Sequence, residues 1–165
     1  MKLSTKGRYG VKAMVELALN YGSDPISIKT ISLSQNISEY YLEQLFAPLR
    51  KANLVKSIRG ANGGYVLSRE PKDISIAEII NVLEGPIEIS GCVEGSVCDN
   101  EDTCATKLLW EKIKNSIDEV MDSITLQDIV NDDEKIKFKN HELKIIDWGD
   151  FNEKRVYGLC SNNIC

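Results

Sequence analysis

Three features of this 165-residue sequence predict a mainly α-helical fold that carries one small β-hairpin and one long helix late in the chain. Apolar residues recur at helical spacing through most of residues 5–51, then through 76–84 and 109–124. Two short runs, Leu54-Val-Lys-Ser-Ile58 and Gly64-Tyr-Val-Leu-Ser68, flank a turn-rich tip and read as paired strands. Between the first helices with their hairpin and the late helix lie Cys92, Cys98 and Cys104, each separated by five residues.

Composition sets the frame. A hydrophobic fraction of 42% and a charged fraction of 27% are those of a soluble globular protein. No apolar run approaches the ~18 residues of a membrane span, and Met1–Arg8 lacks the apolar core of a signal peptide. The expected compartment is the cytoplasm, with no membrane partner. The expected organisation is a head over 1–85, a cysteine-rich loop over 86–106, a helix for dimerisation over 107–130 and a C-terminal extension over 131–165. Net charge is -5, but it is segregated. Residues 1–72 hold 11 Lys/Arg against 5 Asp/Glu, a balance of +6, and residues 73–165 hold 9 against 20, a balance of -11. A basic footprint for nucleic acid therefore has its place in the first 72 residues.

The first helix is predicted over residues 5–20, with Ser4 or Thr5 as N-cap and Tyr9, Ala13, Met14, Leu17, Ala18 and Tyr21 on one buried face. Gly22 and Pro25 end it. Lys2, Lys6, Arg8 and Lys12 crowd its start, where cations oppose the helix dipole by a few tenths of a kcal/mol. A phosphate across that end would reverse the sign. Ser27 caps a second helix to about Ser34, with Ile28, Ile31 and Leu33 facing inward. After the turn Gln35-Asn36-Ile37, Ser38 caps a third helix with Glu39 in its first turn. That helix turns Tyr41, Leu42, Leu45, Phe46 and Leu49 inward, and Glu39, Tyr40, Glu43, Gln44, Arg50 and Lys51 outward.

Two helices joined by a tight turn and followed by a hairpin make a winged helix-turn-helix. Pro71 ends the wing, and Ser75 caps a fourth helix over 76–84 (Ile76, Ile79, Ile80 and Leu83 inward) that Gly85-Pro86 terminates. After the cysteines, Leu109, Ile113, Ile117, Val120, Met121 and Ile124 form a helical stripe broadened by Leu108 and Trp110. A stripe that long exceeds what one head covers, so pairing with a second copy of the chain is the preferred reading and packing on the head the alternative. Thr125 caps a short helix to Val130. Beyond it, Ile136–Lys139 and Leu143–Trp148 read as strands of a small hairpin or as parts of a tail.

A recognition helix puts its first turns against base edges while basic residues elsewhere neutralise phosphates. The base-edge candidates are Ser38, Tyr40, Glu43 and Gln44. Gln44 can bond adenine N6 and N7 together, and Glu43 can accept from cytosine N4. Arg59, with Gly60 beside it at the wing tip, suits a narrow A·T-rich minor groove. Lys6, Arg8, Arg50, Lys51 and Lys56 read as phosphate contacts. The partner these residues imply is double-stranded DNA. Taken singly, each charge is equally well a solvated surface residue; the pattern is what carries the reading.

Three thiolates within 13 residues can converge on one soft metal centre, with Gly91 and Gly95 allowing a tight backbone. Zinc and an iron–sulfur cluster are both admissible on thiolate softness. Metal-free thiol redox switching and three structural cysteines are the other readings of the spacing. Glu94, Asp99, Glu101 and Asp102 would raise thiol pKa values, which disfavours an activated catalytic cysteine. No phosphate-cradling glycine loop of nucleotide enzymes is present, and no nucleophile–base pair is brought together by spacing, so an enzyme is not expected.

Met1-Lys-Leu-Ser-Thr-Lys-Gly-Arg-Tyr-Gly10, Tyr41-Leu-Glu-Gln-Leu-Phe46, Leu49-Arg-Lys51, Leu54-Val55 and Arg59-Gly-x-x-Gly-Gly-Tyr65 resemble the IscR-like branch of the Rrf-type winged-helix regulators. Cys92, Cys98 and Cys104 match that branch's cluster motif, and Ile124-Thr-Leu126 matches the end of its dimerisation helix. The resemblance covers roughly residues 1–130. It implies a homodimeric bacterial repressor with a 2Fe–2S cluster on each subunit, which reports iron–sulfur supply, alters operator choice and controls cluster-assembly genes. It also implies that Glu43 tunes discrimination between operators. Where the family often has a histidine, three residues after the last cysteine, this chain has Lys107, a protonated amine and a poor ligand for iron. The fourth ligand is open among His141, a loop carboxylate, Cys160, Cys165 and the other subunit. Two related readings stand beside it: a nitric-oxide-sensing regulator, whose acidic residue is replaced here by Arg8, and a zinc-bound or metal-free cysteine-metabolism regulator acting with a partner enzyme.

Overall fold

The computed structural model describes residues 4–60, 62–93 and 104–139, with the side chain of Cys92 excepted. Lys2, Gly95, Cys98, the loop acids Glu94, Asp99, Glu101 and Asp102, the run Leu143–Trp148, and His141, Cys160 and Cys165 lie outside the described residues. The chain divides into two compact units, Met1–Val130 and Asn131–Cys165. Among the described residues no helix is long and apolar enough to cross a membrane.

The elements follow the predicted order: α1 (Thr5–Leu19), α2 (Ile28–Gln35), α3 (Glu39–Lys51), β1 (Val55–Ile58), β2 (Gly64–Leu67), α4 (Ile76–Glu84) and α5 (Ala105–Ser123). The caps are those that short polar side chains supply. Ser4 accepts from the Lys6 amide, Ser27 from Thr30 and Ser38 from Tyr41. Ser75 and Glu78 close a reciprocal capping box. Asn36 takes the left-handed conformation at the end of α2, which sets the turn into α3.

One core holds the first unit together. Met14 of α1, Ile31 of α2, Leu42, Leu45, Phe46 and Leu49 of α3, Leu54 and Val55 at β1, and Ile79 of α4 are all at most 2% exposed. Burying an aliphatic or aromatic side chain of this size contributes roughly 1.5–3 kcal/mol, and α3 supplies four of them. Tyr9 meets Tyr41 edge-on at 5.9 Å, tying α1 to α3. Leu33 departs from its expected inward place and is 76% exposed. It lies two residues from the buried Ile31, about 200° around the helix, so one face cannot hold both.

The wing is an antiparallel pair with Val55 opposite Leu67 and Ile58 opposite Gly64. A third segment joins it. Ile26 bridges Tyr65, with both amides donating to the opposite carbonyl at 2.8 and 3.1 Å. This approach depends on Gly64, because a Cβ there would lie 2.3 Å from the carbonyl oxygen of Ile26. Tyr65 then stacks on Phe46, with ring centroids 4.3 Å apart.

After α5 the chain returns to the head. Leu126 donates its amide to Ile74 and Ile76 donates to Ile124, at 3.0 and 2.9 Å, in a short bridge that brings Leu126 into the core. Thr125 caps the helical residues 126–130, with Asp128 returning the bond. In the second unit, residues 131–139 are helical. The strand reading of Ile136–Lys139 is thereby corrected. Lys135 pairs with Asp132 and Lys137 with Asp133, spacings that favour a helix over an alternating strand.

Replacing Gly64 by Ala should lower stability by about 1–3 kcal/mol, the usual range for forcing a methyl into a packed site. Urea unfolding checks this: the midpoint falls while its slope holds. An unchanged midpoint would mean that the Ile26 backbone is free to retreat.

Candidate nucleic-acid interface and cysteine site

Because α3 buries Leu42, Leu45, Phe46 and Leu49, its opposite face must point outward. Ser38, Tyr40, Glu43 and Gln44 are all exposed there, with Tyr40 at 72%. Residues 40, 43 and 44 are three and four apart, so they share one face at the start of the helix. Arg50 and Lys51 are exposed in its last turn, where cations also suit the helix dipole. Lys56 is exposed on β1, and Arg59 and Gly60 are exposed just beyond it. The Gly60 carbonyl accepts from the Gly63 amide at 3.0 Å, closing the wing tip. Lys6 and Arg8 are exposed in the first turns of α1.

The cations at the start of α1 have an internal counter-charge that the sequence reading missed. Glu84, the last residue of α4, places Oε1 where it accepts from the Gly7 amide at 2.7 Å and the Ser4 hydroxyl at 2.8 Å. Its Oε2 accepts from the Ser4 amide at 3.3 Å. Partial burial works against the charged form, but the bonds from Ser4 and Gly7 and the nearby Lys6 outweigh it and hold the Glu84 carboxyl below its ordinary pKa. The signal that could have found this contact was a glycine inside the first turns of a well-formed helix, with no local reason to be one.

Cys104 is the N-cap residue of α5 and is half-buried. Its Sγ lies 3.0 Å from the Thr106 hydroxyl. That hydroxyl first, then the Lys107 amide, favour the thiolate and lower the thiol pKa, against a smaller opposing effect of burial. Cys92 lies in a single 3₁₀ turn, Gly91–Val93, which packs against α5. The two cysteine positions that are described thus belong to segments in contact. Among the described residues no three Cys, His, Asp or Glu side chains gather into a metal site. In chemistry, a thiolate at a helix N-terminus fits a soft metal centre. Lys107, one turn along α5 and half-buried, does not add a ligand to it.

None of the α5 side chains is buried. Leu109, Val120 and Ile124 are exposed, and Ile113, Ile117 and Met121 are half-buried beside them. Lys114 and Asp118 pair at 2.6 Å along the same helix.

A helix-turn-helix with an outward recognition helix, a basic first half and a two-stranded wing defines a DNA-binding transcription regulator of the winged-helix class. The chain belongs to the Rrf2 family, described as iron-dependent transcriptional regulators, whose pattern matches residues 3–132. The regulator CymR of Bacillus subtilis (strain 168) is 50% identical over 131 residues, covering 79% of this chain and 91% of its own. The regulator IscR of Escherichia coli O1:K1 / APEC is 39% identical over 134 residues, covering 81% and 83%. Among solved structures, CymR, the global cysteine regulator of B. subtilis, superposes with a TM-score of 0.71 at 50% identity over 79% of this chain and 97% of that one. The IscR of T. potens superposes with 0.69 at 52% identity over 82% and 90%. These relatives are regulators of transcription, and the chain is a regulator rather than an enzyme.

Proposed function

We propose that this chain is a homodimeric cytoplasmic repressor that binds double-stranded operator DNA through α3 and the wing, and whose binding responds to an iron–sulfur cluster on Cys92, Cys98 and Cys104. The observation that carries the DNA half is the division of α3 into four buried apolar residues and an exposed face of Ser38, Tyr40, Glu43 and Gln44. Arg59 and Gly60 reach the minor groove beside it, and Lys6, Arg8, Arg50, Lys51 and Lys56 take phosphates. The cluster half is supported by the Cys104 thiol, favoured as thiolate at the start of α5, and by the packing of the Cys92 turn against that helix. A 2Fe–2S centre, when bound, supplies a thiolate-held iron site whose occupancy follows iron and sulfide supply. The regulated genes on this reading are those of cluster assembly. Leu109, Ile113, Ile117, Val120, Met121 and Ile124 form the surface for the second copy.

A second reading has a specific observation in its favour. The chain is 50% identical to a protein described as a global cysteine regulator, and Lys107 stands where a fourth ligand would help. On that reading the cysteines hold zinc or no metal, and regulation works through a partner enzyme.

Iron and sulfide analysis with visible spectroscopy, on anaerobically purified native protein beside Lys107→His, separates the two. The cluster reading expects about two iron and two sulfide per subunit in both proteins, with slower loss in air from the histidine variant. A colourless protein with stoichiometric zinc overturns it in favour of the second.

Arg59→Ala should weaken binding more to operators with A·T-rich flanks than to G·C-rich ones, in titrations at fixed salt. Equal losses on both would make Arg59 a plain phosphate contact.

Val120→Glu places a charge on the stripe at a residue 56% exposed in the isolated chain. Sedimentation should show a dimer for the native protein and a monomer for the variant, with the melting temperature of the head near native. A dimer that survives the substitution would remove α5 from the interface.

A further inference from the structure

The start of α1 carries two of the proposed phosphate contacts, Lys6 and Arg8, on either side of Gly7. Helix termini normally fray, and Lys6 and Arg8 are exposed there; the Arg8 amide donates to the Ser4 carbonyl at 3.3 Å, so the turn they share hangs on Ser4. The Gly7 amide between them is held by the Glu84 carboxylate at 2.7 Å, and the N-cap Ser4 is held by the same group through its hydroxyl and its amide. Ser4 meanwhile accepts from the Lys6 amide at 3.0 Å. The amides of residues 4, 6 and 7 therefore end, directly or through Ser4, on one carboxylate delivered from another helix.

The approach is built for that carboxylate. A Cβ on Gly7 would lie 2.1 Å from Glu84 Oε1, so an alanine at 7 displaces it. Gly10, one turn further on, leaves the same kind of room for Leu83. A Cβ on Gly7 would also lie 3.1 Å from Ile80 Cδ1, but the carboxylate oxygen is the nearer atom and the one that has to move.

The sign of the charge makes the contact informative. A carboxylate beside two cations that face DNA repels phosphate and partly cancels their field, so on Coulomb grounds alone it should weaken binding. Any help it gives to binding has to exceed that cost.

We infer that Glu84 is a positioning residue for DNA binding: by fastening Ser4 and Gly7 it presents Lys6 and Arg8 to the phosphates in a fixed register. The inference rests on the operator-binding reading above and deepens it. Glu84 itself touches no DNA. Fixing two long cationic side chains at their backbone removes part of the ordering cost that each phosphate contact otherwise carries.

The test is operator binding by the full chain across a range of salt, for native protein, Glu84→Ala, Glu84→Gln and Gly7→Ala, with melting temperatures alongside. Each phosphate contact contributes about 0.9 to the slope of log affinity against log salt. Glu84→Ala and Gly7→Ala should bind more weakly than native, with the slope reduced by about one to two. Glu84→Gln, which keeps an oxygen acceptor for Gly7 and Ser4, should retain most of both. Gly7→Ala changes no charge, so a shared loss in the two alanine variants is one of position. Tighter binding by Glu84→Ala with an unchanged slope would show that only its charge matters and overturn the inference. Lower melting temperatures with affinity and slope unchanged would make the contact a structural cap only, and would overturn it equally. Failure of native protein to bind any operator would instead strike the function proposed above.

Discussion

The constraint on which the rest depends is that one helix, α3, has to be core and surface at once. Its inner face carries Leu42, Leu45, Phe46 and Leu49, none more than 1% exposed. These contribute on the order of 6–12 kcal/mol in transfer terms, comparable with the whole net stability of a domain. That burial fixes the rotation of α3 about its axis, and with it the direction of Tyr40, Glu43 and Gln44. Phe46 extends the constraint to the wing, since its ring stacks on Tyr65, and Tyr65 is bridged in turn to Ile26. The geometry of α3 and of the wing is thus one packing problem with one solution.

A second constraint governs the other end of the head. The basic residues at the start of α1 are unfavourable by the helix-dipole rule, and a bound phosphate was one way to reverse the sign. The structure shows another. Glu84, 77 residues from Gly7, supplies the negative charge from elsewhere in the same chain. It stands just before Gly85, whose φ of 87° turns the chain out of α4 toward the cysteines. The same residue ends the helix that leads to the cysteine-bearing segment and caps the helix that begins with Lys6 and Arg8.

Most of the fold was legible because its signals are local. Ser4, Ser27, Ser38 and Ser75 are caps that a reader of four residues can find, and the inward faces of α3 and α4 follow from spacing. The outward side of α3 followed from the same spacing. What escaped was non-local. Nothing near Ile26 announces that it will pair with Tyr65, and nothing near Leu126 announces a return to Ile74. The glycines that permit such contacts, Gly7 within α1 and Gly64 at the start of β2, carry no local sign of the distant backbone or carboxylate they make room for. Leu33 failed for the opposite reason: hydrophobic identity was weighed over its angle on the helix. The strand alternative for Ile136–Lys139 failed because alternating Ile, Lys, Phe and Lys imitates a strand, while Asp132 and Asp133, which pair with Lys135 and Lys137, favour a helix.

The late helix raises a question of energy that its sequence alone could not. α5 is 19 residues long, and not one of its side chains is buried in the single chain. In proteins most of a helix's stability comes from packing its amphipathic face rather than from propensity. Packing against α4 and one i,i+4 ion pair add little more. The finish is fixed by the Ile76–Ile124 bond and the start carries no side-chain cap bond, and between them Leu108, Leu109, Trp110 and Val120 face outward. An apolar stripe of that extent on a soluble helix is stabilised only when something covers it. A second copy of the same helix would offer a surface matched in length and spacing, which is the ground for the self-association proposed above. Cys104 would then begin the helix whose face pairs, so that the state of the thiol and the pairing of two chains bear on one element.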